Sequence, residues 1–165
     1  MKIEKEWVKY ITEINIICKK YNETVNRNIA SEVSIDTLKK WVFDNISKDL
    51  WLNDYEEFLK VQNGFKFEGL IFYGASDYES NLISENEAWD FNGESFGHKY
   101  LFLGDADISW YVYDICEMSF AELDKPSGDS IERFKDFDCM LLSALKTKIQ
   151  IYSFVYNHSS YKCDV

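Results

Sequence analysis

Apolar residues recur three or four apart over residues 3–21, where Ile3, Trp7, Ile11, Ile14, Cys18 and Tyr21 make the stripe of an amphipathic helix. Asn22 to Ser34 is polar and reads as a loop. Ser34 is placed to cap a second helix to about Ile46, with Ile35, Leu38, Trp41, Val42 and Ile46 turned inward. A third helix is expected in "NDYEEFLKVQNG". There Asn53 and Glu56 have capping-box spacing, and Asn63-Gly64 supplies the stop.

The period then shortens from that of a helix to that of a strand. "GLIFYG" (69–74), "KYLFLG" (99–104), "ISWYVYDI" (108–115) and "SFAEL" (119–123) are short runs rich in aromatic and branched residues. In the third run Ile108, Trp110 and Val112 alternate with Ser109, Tyr111 and Tyr113, which predicts a central strand covered on both faces. A polar stretch, 75–98, separates the first two strands and holds one helical turn around Ser84–Trp89. "DKPSGDS" (124–130) is a turn-rich loop. A last amphipathic helix is expected from about Asp136 to Lys148, burying Phe137, Met140, Leu141 and Leu145. "IQIYSFVY" (149–156) is compatible with an edge strand or a docked tail. Helices, then an antiparallel meander, then a helix predict an α+β fold, with a central sheet of about four to six strands.

Length adds one constraint: 165 residues are expected to form one domain with a substantial core. No apolar run reaches the ~20 residues of a membrane span. "MKIEKEWVKY" carries Glu4 and Glu6 and lacks the pattern of a secretory signal. Cys18, Cys116, Cys139 and Cys163 form no C-x-x-C pair, which suits a reducing, cytoplasmic setting without disulfide or zinc.

Charge changes the picture more. The net charge is −11, and residues 51–124 alone hold 16 Asp/Glu against 3 Lys/Arg, while the flanking segments each balance to +1. Such a field repels nucleic acid and anionic membrane and favours a cationic partner.

In "LGDADISWYVYD" (103–114), Asp105, Asp107 and Ser109 alternate like calcium ligands. The calcium-loop template needs Gly at its sixth position and Glu at its twelfth, where this chain has Trp110 and Cys116. A hairpin turn through Gly104, Asp105, Ala106 and Asp107 accounts for the same residues. The P-loop, G-x-G-x-x-G, H-E-x-x-H and G-x-S-x-G motifs are all missing. His98 and His158 stand in no recognisable arrangement with Cys or Ser. The expectation is a non-enzymatic protein without cofactor or metal.

Three stretches in order resemble the SUKH superfamily. "DLWLNDYEEFLKVQNGFKFEGLIFYG" (49–74) resembles its core signature, an L-P-x-x-Y-x-x-F-L-like helix, N-G, a strand and a glycine, with Asn53 in the usual proline position. "YLFLGDADISWYVYD" (100–114) resembles the second signature, and "ELDKPSGDSIERFKDFDCMLLSAL" (122–145) the C-terminal part of the YrhA-like branch. The likeness spans about 49–146 and leaves out the helical N-terminal part, 1–48, and the tail, 149–165.

The resemblance implies a central antiparallel sheet and an immunity role: binding and neutralising a cognate secreted toxin, often a nuclease, in bacterial competition. The same superfamily includes fungal cell-wall synthesis regulators, so a non-catalytic adaptor is the alternative. An acidic face could occupy a toxin's basic cleft. Candidate partner-binding residues are Asp77, Glu79, Glu85, Glu87, Asp90, Glu94, Asp105 and Asp107, with Trp89 and Phe96 as apolar anchors. The chain is expected to be a monomer or weak dimer that touches neither nucleic acid nor membrane.

Overall fold

The computed structural model describes residues 4–21, 28–91 and 99–159. They form five helices and a six-stranded antiparallel sheet, an α+β arrangement. Helices α1 (Glu6–Lys20), α2 (Glu32–Asn45) and α3 (Asn53–Val61) precede strands β1 (Phe65–Phe67) and β2 (Leu70–Phe72). Helix α4 (Leu82–Phe91) intervenes before β3 (Tyr100–Asp105), β4 (Ser109–Asp114), β5 (Ser119–Asp124) and β6 (Ser130–Phe134), and α5 (Phe137–Ser159) closes the chain. Each strand lies beside its sequence neighbour, so β1 and β6 are the edges.

Backbone contacts divide the chain into two compact units, Met1–Val25 with Leu141–Val165, and Asn26–Met140. In the first, α1 buries Trp7, Ile11, Ile14 and Cys18, and α5 buries Leu141, Ala144 and Leu145. The Lys146 ammonium lies 3.0 Å from Glu6 and 5.6 Å above the Tyr10 ring. Tyr21 meets Tyr156 with ring centroids 5.8 Å apart.

In the second unit the sheet's aromatic side chains gather around Phe137, at the first turn of α5. Its ring lies 5.3 Å from Tyr55 and 5.6 Å from Phe58 on α3, 5.9 Å from Phe72 on β2 and 6.2 Å from Phe120 on β5. Helix α3 thus packs on the sheet through residues of its apolar stripe. Strand β4 is central, with Tyr111, Val112 and Asp114 buried and Trp110 and Tyr113 half-buried.

Several local expectations are corrected. Ser31, not Ser34, caps α2: the Ser34 N–H donates to Ser31 Oγ at 3.1 Å. Helix α3 begins at Asn53 with Leu52 in the cap position and no side-chain cap. Glu56 has other work there. Its carboxylate accepts from Trp51 Nε1 at 2.6 Å and pairs with Lys39 at 2.7 Å and Lys60 at 2.6 Å. Gly104 belongs to β3 rather than to the turn, at an irregularity in the β3–β4 register. A Cβ there would stand 2.6 Å from the Ile71 carbonyl oxygen, so glycine is required by close approach. Residues 149–156 are neither strand nor tail but the continuation of α5. Their branched and aromatic residues suggest a strand, yet no Gly or Pro interrupts 137–159, and helix propagation adds one bond per residue. Strands β1 and β6, both outside the expected set, complete the six. The β1–β2 turn is a two-residue loop in which Glu68 (φ 46°) and Gly69 (φ 77°) both have positive φ, as a type I′ turn requires.

Glu56 gives the fold a pH dependence. Burial opposes its charge, but the hydrogen bonds from Lys39, Lys60 and Trp51 outweigh burial and hold the carboxyl down at about 2, from an ordinary 4.5. A depressed folded-state value stabilises the protein above pH 4.5, and that contribution is lost as pH falls toward 2. Glu56→Gln should therefore be less stable than the parent at pH 7, with the gap closing over that window in urea titrations. A gap independent of pH would show that the ionised carboxylate is not what matters.

Candidate partner-binding site

The acidic residues are presented by two connections of the second unit, the loop from β2 into α4 and the β3–β4 turn. Asn63, buried just after α3, organises the first. Its Oδ1 accepts from the Ala75 N–H at 2.7 Å and its Nδ2 donates to Asp77 Oδ1 at 2.7 Å. Gly64 (φ 79°) and Gly74 leave the room that the Tyr78 ring occupies. Asn81 ends the loop and caps α4, accepting from the Ser84 N–H at 3.0 Å and donating to the Tyr78 carbonyl at 3.2 Å. That start places Glu85 in the first turn of α4.

Helix α4 lies beside β3 where β2 has left the sheet. The buried Asn86 carboxamide takes the missing strand's part, accepting from the Phe102 N–H at 2.8 Å and donating to the Phe102 carbonyl at 2.9 Å. One residue further, Glu87 accepts from Trp41 Nε1 of α2 at 3.0 Å.

At the second connection Asp105 ends β3. The Lys125 ammonium donates both to Asp105 Oδ1 and to the Ala106 carbonyl. Lys125 is brought there by its own backbone, whose N–H donates to the Ile108 carbonyl at 2.9 Å. Asp107 is exposed in the turn, its carboxylate against Gly69, whose lack of a Cβ admits it.

Of the expected residues, Asp77, Glu79, Glu85 and Glu87 therefore sit on the first connection and α4, and Asp105 and Asp107 on the second. Glu85 and Asp105 come close enough to interact. Burial first, and then the Asp105 charge, push the Glu85 carboxyl above its ordinary range. Trp89 and Asp90 lie on α4 with side chains outside the described part, and Glu94, Phe96 and His98 lie outside the described residues. Asp77 and Glu87 are engaged by Asn63 and Trp41, while Glu79 extends into solvent.

Two contributors escaped the sequence reading. Tyr73 reads there as one more core aromatic. It is 3% exposed, and its hydroxyl is pushed up first by burial, then by the charges of Asp105 and Glu85. Lys125 stands twenty positions from Asp105, and only the sheet register reveals the pairing.

Among the described residues no three His, Cys, Asp or Glu side chains converge as a metal site. Nor is any described helix long and apolar enough to cross a membrane. No protein-family model matches the chain, and the curated proteins give no match.

Proposed function

We propose that the chain is an immunity protein of the SUKH kind, which binds a cognate basic toxin through the acidic connections and blocks its cleft. The observation that carries this reading is the concentration of charge, 16 acidic against 3 basic residues over 51–124. It is supported by carriage of that charge on connections fixed by Asn63, Asn81 and Asn86. A face organised before binding loses little conformational freedom on association. Complementary potentials accelerate encounter by roughly 10–1,000-fold over uncharged surfaces and fade with added salt. The function is one of recognition rather than catalysis. The superfamily's adaptor role would use the same face for a resident partner.

Co-expression with the product of a neighbouring toxin-like reading frame tests the proposal: the chain should restore growth. Reversing Glu79 to lysine should slow capture several-fold at low salt and leave the thermal midpoint nearly unchanged. Unprotected cells, or capture only of a housekeeping protein, would count against the immunity reading and for the adaptor.

A further inference from the structure

Helix α5 keeps one face apolar well past the part that is buried. Leu141, Ala144, Lys148, Ile151 and Val155 follow one another at alternating spacings of three and four, the pattern that holds one side of a helix against a neighbour. Leu141 and Ala144 are buried. Ile151 and Val155 continue the stripe at 53% and 51% exposure, and Phe154 beside them is 65% exposed. Helix α1 takes the adjoining flank, where the Tyr156 ring meets Tyr21 at 5.8 Å and Tyr152 at 4.2 Å. Ile151, Phe154 and Val155, at i, i+3 and i+4, share a different face of the helix.

Composition sets this segment apart. Residues 149–159 hold no Asp, Glu, Lys or Arg in a chain that is 28% charged, and they include Tyr152, Phe154 and Tyr156. Depletion of charge with enrichment in aromatics marks the core of a protein interface rather than a solvated helix end. The basic toxin proposed above finds no counter-charge here. An anionic lipid surface finds no lysine or arginine in 149–159, where an interfacial helix would carry several.

A second copy of the chain does match. Two α5 helices crossing antiparallel near Ser153 put Ile151 of each against Val155 of the other, the self-complementary contact that a two-fold axis generates. The same crossing carries the Lys148 ammonium of each copy to the last turn of the other's α5. The carbonyl groups at a helix C-terminus carry partial negative charge and favour a cation. A parallel pairing would instead set Lys148 against Lys148. Net charge permits the approach, because residues 125–165 balance to +1 and the acid surplus lies in 51–124.

We propose that the chain forms a weak two-fold dimer through antiparallel contact of the C-terminal half of α5, centred on Ile151, Phe154 and Val155. The three side chains expose roughly 300 Å² per copy against the ~800 Å² per partner of a stable interface, which makes the dimer transient. A dissociation constant on the order of 100 μM is expected.

Sedimentation equilibrium of the full chain from about 10 μM to about 1 mM tests this, and should show a monomer giving way to a dimer. Amide NMR spectra over the same range should move the signals of Ile151, Phe154 and Val155 and leave those of the sheet edge β6 in place. Val155→Lys should keep the chain monomeric throughout. Lys148→Gln should weaken the dimer about threefold, through loss of the attraction to the partner's helix end. Circular dichroism establishes that both variants keep their helices, and the dilution series on the unmodified chain needs no variant. A monomer at every concentration, or concentration-dependent shifts at β6, would overturn the proposal. So would tighter association of Lys148→Gln, the result that parallel helices require. Co-sedimentation of the monomer with phosphatidylglycerol vesicles would also overturn it, giving the face to a lipid surface. No toxin enters these measurements, so a dimer in a chain that gives cells no protection would remove the immunity reading alone.

Discussion

Phe137→Ala should lower the unfolding free energy by about 3–5 kcal/mol, the range for emptying a buried aromatic site. Phe137 is fully buried and its ring touches those of Tyr55, Phe58, Phe72 and Phe120. These neighbours come from α3, β2 and β5, so no single element can move in to fill the space. Edge-on and tilted ring pairs are each worth about 0.5–1.5 kcal/mol beyond burial, and four are lost together. Urea denaturation measures the change. Val33→Ala, at a position 76% exposed, should stay within about 0.5 kcal/mol of the parent. A Phe137→Ala loss near that of Val33→Ala would mean that the ring cluster does not hold the sheet to its helices.

Asn86→Leu should cost about 2–5 kcal/mol, although it replaces a polar group in the interior by an apolar one of similar size. The substitution strips partners from both the Phe102 N–H and the Phe102 carbonyl, each worth about 1–3 kcal/mol when left unsatisfied. Strand β2 cannot restore them, because its pairing with β3 covers only Ile71 with Asp105 and Phe72 with Gly104. Amide exchange at Phe102 should speed up more than at Val112, on the neighbouring strand. Exchange unchanged at Phe102 would show that another group satisfies it.

Much of this architecture could be read from spacing alone, and the exceptions have physical causes. The stripes of α1, α2, α3 and the first half of α5 were visible because tertiary burial coincides with their helical period. β6 was not: Ser130, Ile131, Glu132 and Arg133 are all exposed, so an edge strand leaves no alternation to detect. β1 has only three residues, too few for a period. The caps failed where a side chain had a better partner, as with Glu56, drawn to Lys39, Lys60 and Trp51 rather than to its own helix start. The acidic face was legible as composition. Which acids meet was not, since Glu85, Asp105 and Lys125 are joined by the path of α4 and the register of β3, β4 and β5.

The central claim is that this acidic face neutralises a basic toxin, and calorimetry with a purified candidate toxin tests it most directly. The account predicts a one-to-one complex that abolishes the toxin's activity at equimolar concentration and weakens steeply as ionic strength rises. No complex at micromolar concentrations, or a complex that leaves the toxin fully active, would contradict it.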